Sequence, residues 1–160
     1  MKERHKSIVE KALGLHEEGC HNEAIDLLRK FAHAFDSPQL HVLEGRLIQL
    51  AKSREGIELN EVEDAFKEAL KIDDTYIEAY LELGWFYLNV QNDAVKAKEF
   101  FDEAEGLSRN QLLETLEGKL KCVAETETSV AAKRYLSQIQ NSLFSAEQLK
   151  KLQAATDEDV

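Results

Sequence analysis

The sequence predicts an all-α protein, and three observations carry that prediction. The 160 residues include one proline and seven glycines, fewer turn residues than an all-β domain of this length needs. Apolar residues make up 43% of the chain, which is typical of a globular domain. They recur three and four positions apart along most of the sequence, as they do on one face of a helix. We expect residues 1–160 to form a single domain.

The clearest pattern lies between Ile77 and Leu107 and has two helical halves. The first half carries Tyr80, Leu83, Gly84 and Tyr87, and the second carries Ala97, Phe101 and Ala104. Gly84 removes a side chain where a neighbouring helix must approach, and Phe101 is large enough to fill the space. The pattern resembles the tetratricopeptide repeat (TPR), a helix-turn-helix unit of about 34 residues. The resemblance implies an α-solenoid of antiparallel helices whose concave face binds a protein partner.

Two weaker copies of the pattern precede this unit. Val62, Phe66 and Ala69 take the small-aromatic-small places of a second helix, and Ile8, Ala12, Leu15, Ala24, Leu28 and Phe31 mark an earlier pair. The resemblance therefore implies about three repeats over residues 5–107. Gly19 fits the left-handed end of the first helix. Asn60 and Asn92 are predicted to cap later helices.

Two registers are open for the helix around Gly45. Aligning Gly45 with Gly84 places Glu44 in the core. Following the spacing of Leu40, Leu43, Leu47 and Leu50 moves Gly45 one position away. We favour the leucine spacing, because burying a carboxylate without a partner costs several kcal/mol.

Helical periodicity continues after residue 107, although the repeat pattern fades. We predict that residues 108–155 form helices that cap the open end of the stack, and that residues 156–160 are a frayed tail. Ser108 and Ser145 each precede a glutamine by three positions, which resembles a capping box and predicts a helix start.

Trp85, the one tryptophan, follows Gly84 directly. In the family this resemblance points to, that position faces the concave groove. The predicted partner-binding site comprises Glu78, Leu81, Glu82, Trp85, Leu88 and Asn89, which share one helix face. A positive group on a partner would relieve the repulsion between Glu78 and Glu82, four residues apart. The alternative is that Trp85 packs against the C-terminal helices.

The charge of the chain is concentrated in its middle. Residues 55–105 carry 15 acidic and four basic side chains and so hold the whole net charge of -11. A field of one sign steers a complementary partner, which predicts a basic protein or peptide and disfavours nucleic acid and anionic membranes. The alternative is an ordinary set of acidic, solvated helix faces.

The sequence predicts no enzyme activity, cofactor or metal. It contains no GxGxxG, GxxxxGK[ST] or HExxH motif. His16, Cys20 and His21 are metal-ligand types, but Gly19 breaks the helix between them. The start has no apolar core of a signal peptide, and Cys20 and Cys122 form no CxxC motif, so we expect a cytoplasmic protein.

Several functions are compatible with a small acidic repeat protein. We expect this chain to be an adaptor, or an immunity-type inhibitor that occludes a basic toxin. A chaperone for a secreted protein, an uncharacterised enzyme and a self-assembling structural protein remain as alternatives. The oligomeric state and the partner stay open.

Overall fold

The computed structural model describes residues 2–51, 58–126 and 129–142, and the regular elements in these ranges are all helices. They are α1 (Lys2–Glu17), α2 (His21–Phe35), α3 (Pro38–Leu50), α4 (Asn60–Ile72), α5 (Ile77–Asn89), α6 (Ala94–Thr126) and α7 (Ser129–Ser142). The predicted all-α class is confirmed. The helix predicted from Ser145 and the tail at 156–160 lie outside the described residues.

The chain divides into two compact units, residues 1–109 and 110–160. This boundary falls close to residue 107, the predicted limit of the repeats, and the single domain stays a prediction. The predicted helix start at Ser108 is wrong, since α6 runs through it without interruption. No proline interrupts the segment, so intrahelical hydrogen bonds continue and the backbone needs no cap there.

In the first unit each helix packs against its neighbours along the chain. Contacts join α1 to α2, α2 to α3, α3 to α4 and α4 to α5, and α3 also touches α5. The fully buried side chains include Ile25, Leu28, Ile48, Phe66 and Leu83. Because α5 borders both α3 and α4, these helices fix which of its faces is buried.

Of the three predictions made for the helix ends, one is confirmed and two are wrong. Gly19 adopts a left-handed φ of 86°, as predicted. Asn92 does not cap α6; the carboxylate of Asp93 accepts the backbone N–H of Lys96 at 3.0 Å instead. Asn60 is the first residue inside α4 rather than its cap. Both capping predictions are therefore wrong by one position.

The favoured register of α3 is wrong, because Gly45 occupies the place in α3 that Gly84 occupies in α5. A Cβ atom on Gly45 would lie less than 3.0 Å from the ring of Phe66. One on Gly84 would also lie less than 3.0 Å from the ring of Phe101. We call these two pairings the glycine–phenylalanine contacts. In this register Glu44 is 4% exposed and Leu50 is 65% exposed.

Glu44 is tolerated in the interior because it has partners that the register prediction did not consider. Nε of Arg29 donates to Glu44 at 2.8 Å, and Nη2 of Arg29 donates to Glu61 at 2.8 Å. Nδ1 of His41 lies 3.3 Å from the second oxygen of Glu44. Burial alone would lower the pKa of Arg29, but its bonds to these carboxylates raise it. A buried charge with such partners does not carry the penalty of an isolated one.

The second unit contains the end of α6 and α7. Leu116, Leu120 and Val123, which lie three or four positions apart, are half-buried, whereas Leu113 is exposed. The ammonium group of Lys119 lies 4.7 Å from the centre of the Tyr135 ring. In the described parts of the chain, no helix combines the length and the apolar character needed to cross a membrane.

Candidate partner-binding site on α5

The helix α5 has two faces of different chemistry. One face is buried and contains Ala79, Leu83, Gly84, Phe86 and Tyr87. The other carries all six residues of the predicted site: Glu78, Leu81, Trp85, Leu88 and Asn89 are exposed, and Glu82 is half-buried. We call Leu81, Trp85 and Leu88 the α5 stripe. The structure thus brings the predicted residues together on one accessible surface, and their binding role stays a prediction.

Trp85 packs against another ring on one side, while much of its surface is exposed to solvent. Its ring meets the ring of Phe101 edge to face, with centroids 5.0 Å apart and an interplanar angle of 73°. Trp85 nevertheless remains 52% exposed. Phe101 is itself located by its contact with Gly84. The packing that joins α5 to α6 therefore also orients the indole ring.

The carboxylates beside the stripe are already paired within the chain. Nε of Arg46, on α3, donates to Glu82 at 2.8 Å, and Nη2 donates to Glu78 at 3.3 Å. Arg46 thus supplies the positive charge that the sequence suggested a ligand would bring. An ionised carboxylate accepts several hydrogen bonds, so both groups keep acceptor capacity for a partner.

The pKa of Glu78 reflects this pairing. The hydroxyl of Tyr76 donates to Glu78 at 2.5 Å and, together with Arg46, holds the pKa of that carboxyl below its usual range. Partial burial acts in the opposite direction and is outweighed. Glu78 therefore stays ionised at neutral pH, and the ionic network on this face is intact there.

A second polar cluster fixes the buried edge of α5 against α4 and α6. The Tyr87 hydroxyl donates a hydrogen bond to Glu63, and the ammonium group of Lys96 lies 4.0 Å from the Tyr87 ring centre. Burial alone would raise the pKa of Glu63, but its bonds to Lys67 and Tyr87 lower it. This cluster helps to set the rotation of α5, and hence which residues face solvent.

Arg46 and Tyr76 border the site, and the sequence prediction missed both. The register of α3 explains the first omission. When Gly45 is aligned with Gly84, Arg46 becomes the counterpart of Trp85, so the same alignment would have placed it on the accessible face. Tyr76 precedes α5 as its N-cap residue and follows no pattern used in the prediction.

No metal centre accompanies this surface in the part of the chain that the structure describes. There, no three His, Cys, Asp or Glu side chains are grouped so that they could hold an ion. Cys20 is half-buried, and His16 and His21 contact each other through their Nδ1 atoms at 3.0 Å. Burial, and then the neighbouring His21, lower the pKa of His16.

Comparison with known proteins gives no match to a family model, to a curated protein or to a solved structure. Two helix pairs within the chain can nevertheless be compared with each other. The two glycine–phenylalanine contacts show one packing arrangement used twice, in α3–α4 and in α5–α6.

Proposed function

We propose that this chain is a non-catalytic protein-binding module whose partner docks on the α5 stripe. The observation that carries the proposal is the half-exposed Trp85, oriented by Phe101 and flanked by exposed Leu81 and Leu88. Tryptophan is enriched among the residues that dominate binding energy, especially where the ring is held before binding. A contiguous apolar stripe on a polar surface is also typical of a docking site.

The partner that best suits this surface is a basic protein or peptide with an apolar anchor. The anchor would cover the α5 stripe, while Lys or Arg side chains would meet the acidic surroundings contributed by residues 55–105. Because Arg46 already pairs with Glu78 and Glu82, these two carboxylates offer only part of their charge. The rest of the attraction would come from the longer-range field, which acts on the association rate.

The proposal includes a TPR-like arrangement of the first unit as an α-solenoid. The repeated glycine–phenylalanine contacts support it, as does the order in which the helices pack along the chain. In such a stack, the first helix of each pair lines one surface, which here would place α3 and α5 side by side. The bridge from Arg46 to Glu82 agrees with that placement.

An adaptor and an immunity-type inhibitor are the two roles we propose first, in the cytoplasm, with a secretion chaperone third. They differ in what the partner is: an assembly subunit, a toxin domain or a secreted protein. The sparse cysteines and the composition support the cytoplasmic location. Identification of the partner separates the three roles.

The first test captures partners of the tagged chain from its native lysate and then measures the affinity of each purified partner by calorimetry. Trp85→Ala is expected to weaken binding by roughly thirtyfold, the effect of losing about 2 kcal/mol from a central anchor. Leu81→Ala should weaken it several-fold. Circular dichroism should show both variants folded, because these side chains are largely outside the core.

Leu13→Ala provides the matched control. Leu13, on α1, is 40% exposed and Leu81 is 38% exposed, so the two truncations remove similar accessible side chains. Binding should be insensitive to the change at Leu13. A partner whose affinity is equal for all three variants would contradict the α5 stripe as the docking site.

Arg46→Gln tests the charge of the partner separately. Removing the guanidinium leaves Glu78 and Glu82 available, so a basic partner should bind a few-fold more tightly at low salt, and the gain should disappear at high salt. Weaker binding in this variant would indicate that the partner presents negative charge to Arg46 and would overturn the basic-partner proposal.

A further inference from the structure

The exposed face of α5 has the same residue spacing as its buried face. On the buried face, Ala79, Leu83 and Phe86 lie four and then three positions apart. The residues of the α5 stripe are spaced in the same way. Alternating steps of four and three residues form the seam along which two helices pack side by side. Both faces of α5 therefore have the pattern of a helix–helix contact.

The composition of α5 also indicates a neighbour on each face. Seven of the 13 residues of α4 carry a charge or an amide, and the buried residues of α4 lie on one face. In α5, which also has 13 residues, the charged and amide residues are Glu78, Glu82 and Asn89. A helix that is apolar on several sides is typically covered on several sides. In the described parts of the chain, however, the three residues of the α5 stripe remain between 37% and 52% exposed.

A helical occupant needs no hydrogen bond from the backbone of α5. The regular elements among the described residues are all helices, so this part of the chain offers no strand edge on which an extended peptide could pair. An amphipathic helix satisfies its own backbone and binds through side chains alone. The 13 residues of α5 extend roughly 20 Å, which is enough to contact three turns of a second helix.

The charges beside the α5 stripe favour a basic helix over a second copy of this chain. The side chain of Glu78 is 50% exposed, and its bridge to Arg46 is 3.3 Å long, compared with 2.8 Å for the bridge from Arg46 to Glu82. A second copy would bring the same carboxylates and the acidic excess of residues 55–105 to the interface. Like charges that face each other weaken association, whereas Lys or Arg on a partner helix would attract Glu78.

We propose that the partner contributes an amphipathic, basic α-helix that packs lengthwise along α5. Its apolar residues, three and four positions apart, cover the α5 stripe, and its Lys or Arg side chains lie beside the carboxylates. This inference rests on the proposed function, because it names the structural class of the segment that docks there. With this helix bound, α5 is covered on both of its apolar faces.

Synthetic peptides of 13 residues, the length of α5, test the spacing. The probe contains leucine, alanine and lysine, with its leucines four and three positions apart. One control has the same composition with leucines at alternate positions, and a second carries a proline in the middle of the probe sequence. Calorimetry measures binding to the full chain, and circular dichroism measures the helix gained on mixing.

We expect the probe to bind and to gain helix, and the central proline to weaken binding roughly a hundredfold. The alternating peptide should bind at least about tenfold more weakly than the probe, because its leucines cannot share one helix face. Three results would overturn the proposal: no binding of the probe at millimolar concentration, equal affinity for either control, or binding without a gain of helix.

Variants at the two ends of the α5 stripe test the lengthwise arrangement. Leu81→Ala and Leu88→Ala should each weaken binding of the probe several-fold, because a helix along α5 contacts both residues. Leu13→Ala is the control, since Leu13 is similarly exposed on α1. An effect at only one end of the stripe would indicate a single anchor point and contradict the proposal.

The charge of the occupant is tested with a probe in which glutamate replaces lysine. It should bind roughly tenfold more weakly at low salt, and the difference should shrink at high salt. Equal affinity of the two probes at low salt would contradict a basic helix. Light scattering of the free chain tests the other occupant: a dimer that Trp85→Ala dissociates would show that a second copy covers the stripe.

Failure of this inference is distinguishable from failure of the proposed function. A natural partner that loses affinity in Trp85→Ala but gains no helix on binding would overturn the helix and leave the proposed function standing. A natural partner that is indifferent to Trp85→Ala would contradict the proposed function itself.

Discussion

The α3–α4 and α5–α6 pairs use the same packing arrangement with different chemistry around it. Each has a glycine–phenylalanine contact, Gly45 with Phe66 and Gly84 with Phe101. The residue before the glycine is buried in both helices, but it is Glu44 in α3 and Leu83 in α5. The residue after the glycine is Arg46 in α3, where it pairs with carboxylates, and Trp85 in α5, where it is exposed.

The glycine–phenylalanine contact positions the helices, and the residues on either side of the glycine determine the chemistry of the surface. The backbone approach at the glycine requires only a small residue facing a large ring. The positions on either side can then be ionic, provided that partners exist, or apolar. In α3 these positions form ion pairs with residues on α2 and α5, whereas in α5 the indole ring of Trp85 stays accessible.

The largest expected effect comes from breaking the ion pair between Arg29 on α2 and the buried Glu44 on α3. Arg29→Ala leaves Glu44 buried without its cation and should lower the free energy of unfolding by about 3 kcal/mol. Arg46→Ala removes bridges to more exposed carboxylates and should cost no more than about 1 kcal/mol. Urea unfolding at neutral pH measures both.

Glu44→Leu is the control, since it gives α3 the residue that α5 has at this position. It removes the buried charge but also leaves Nδ1 of the buried His41 without its partner, so the free energy of unfolding should fall by about 1–2 kcal/mol, less than in Arg29→Ala. A loss as large as that of Arg29→Ala would mean that the carboxylate is required for packing rather than tolerated.

Alanine substitution at the two glycines tests each glycine–phenylalanine contact separately. Gly45→Ala should destabilise by about 2 kcal/mol, because Phe66 is fully buried and cannot move aside. Gly84→Ala should cost about 1 kcal/mol, because Phe101 is only partly buried. Thermal unfolding followed by circular dichroism provides the measurement.

Gly106→Ala serves as the reference for these glycine variants. A Cβ atom there meets nothing within 4 Å, so the change should stabilise α6 by up to about 1 kcal/mol through helix propensity alone. Equal effects at Gly45, Gly84 and Gly106 would contradict the role assigned to the phenylalanine rings.

The smallest expected effect concerns the pH response of the site on α5. Tyr76→Phe removes the main hydrogen bond that lowers the pKa of Glu78, so this pKa should rise toward its ordinary value. A carboxylate with a depressed pKa stabilises the folded state above its unfolded-state pKa, and this contribution is lost as the pH falls through the folded-state pKa. The stability difference between wild type and variant should therefore be present at neutral pH and vanish in acid.

Carboxyl carbon NMR measures the pKa of Glu78 directly. Tyr80→Phe is the matched control, because the hydroxyl of Tyr80 donates to the backbone oxygen of Asp74 at 3.0 Å and not to a carboxylate. An equal shift of the Glu78 pKa in both variants would show that Tyr76 does not act through its hydrogen bond.

Local patterns predicted the helical class, the left-handed Gly19 and the shared face of the candidate site. These features depend on residues a few positions apart, where periodicity and backbone preference suffice. The register of α3 was missed because its decisive partner, Arg29, lies on another helix. The start predicted at Ser108 failed because a capping signal also fits inside a continuous helix. Arg46 was missed as a consequence of the register.

The single tryptophan gives the chain a built-in optical reporter. Because Trp85 lies on the α5 stripe and is half-exposed, its emission should move to shorter wavelength when an apolar anchor covers the ring. The unlabelled protein can therefore report by fluorescence alone whether a ligand covers the α5 stripe.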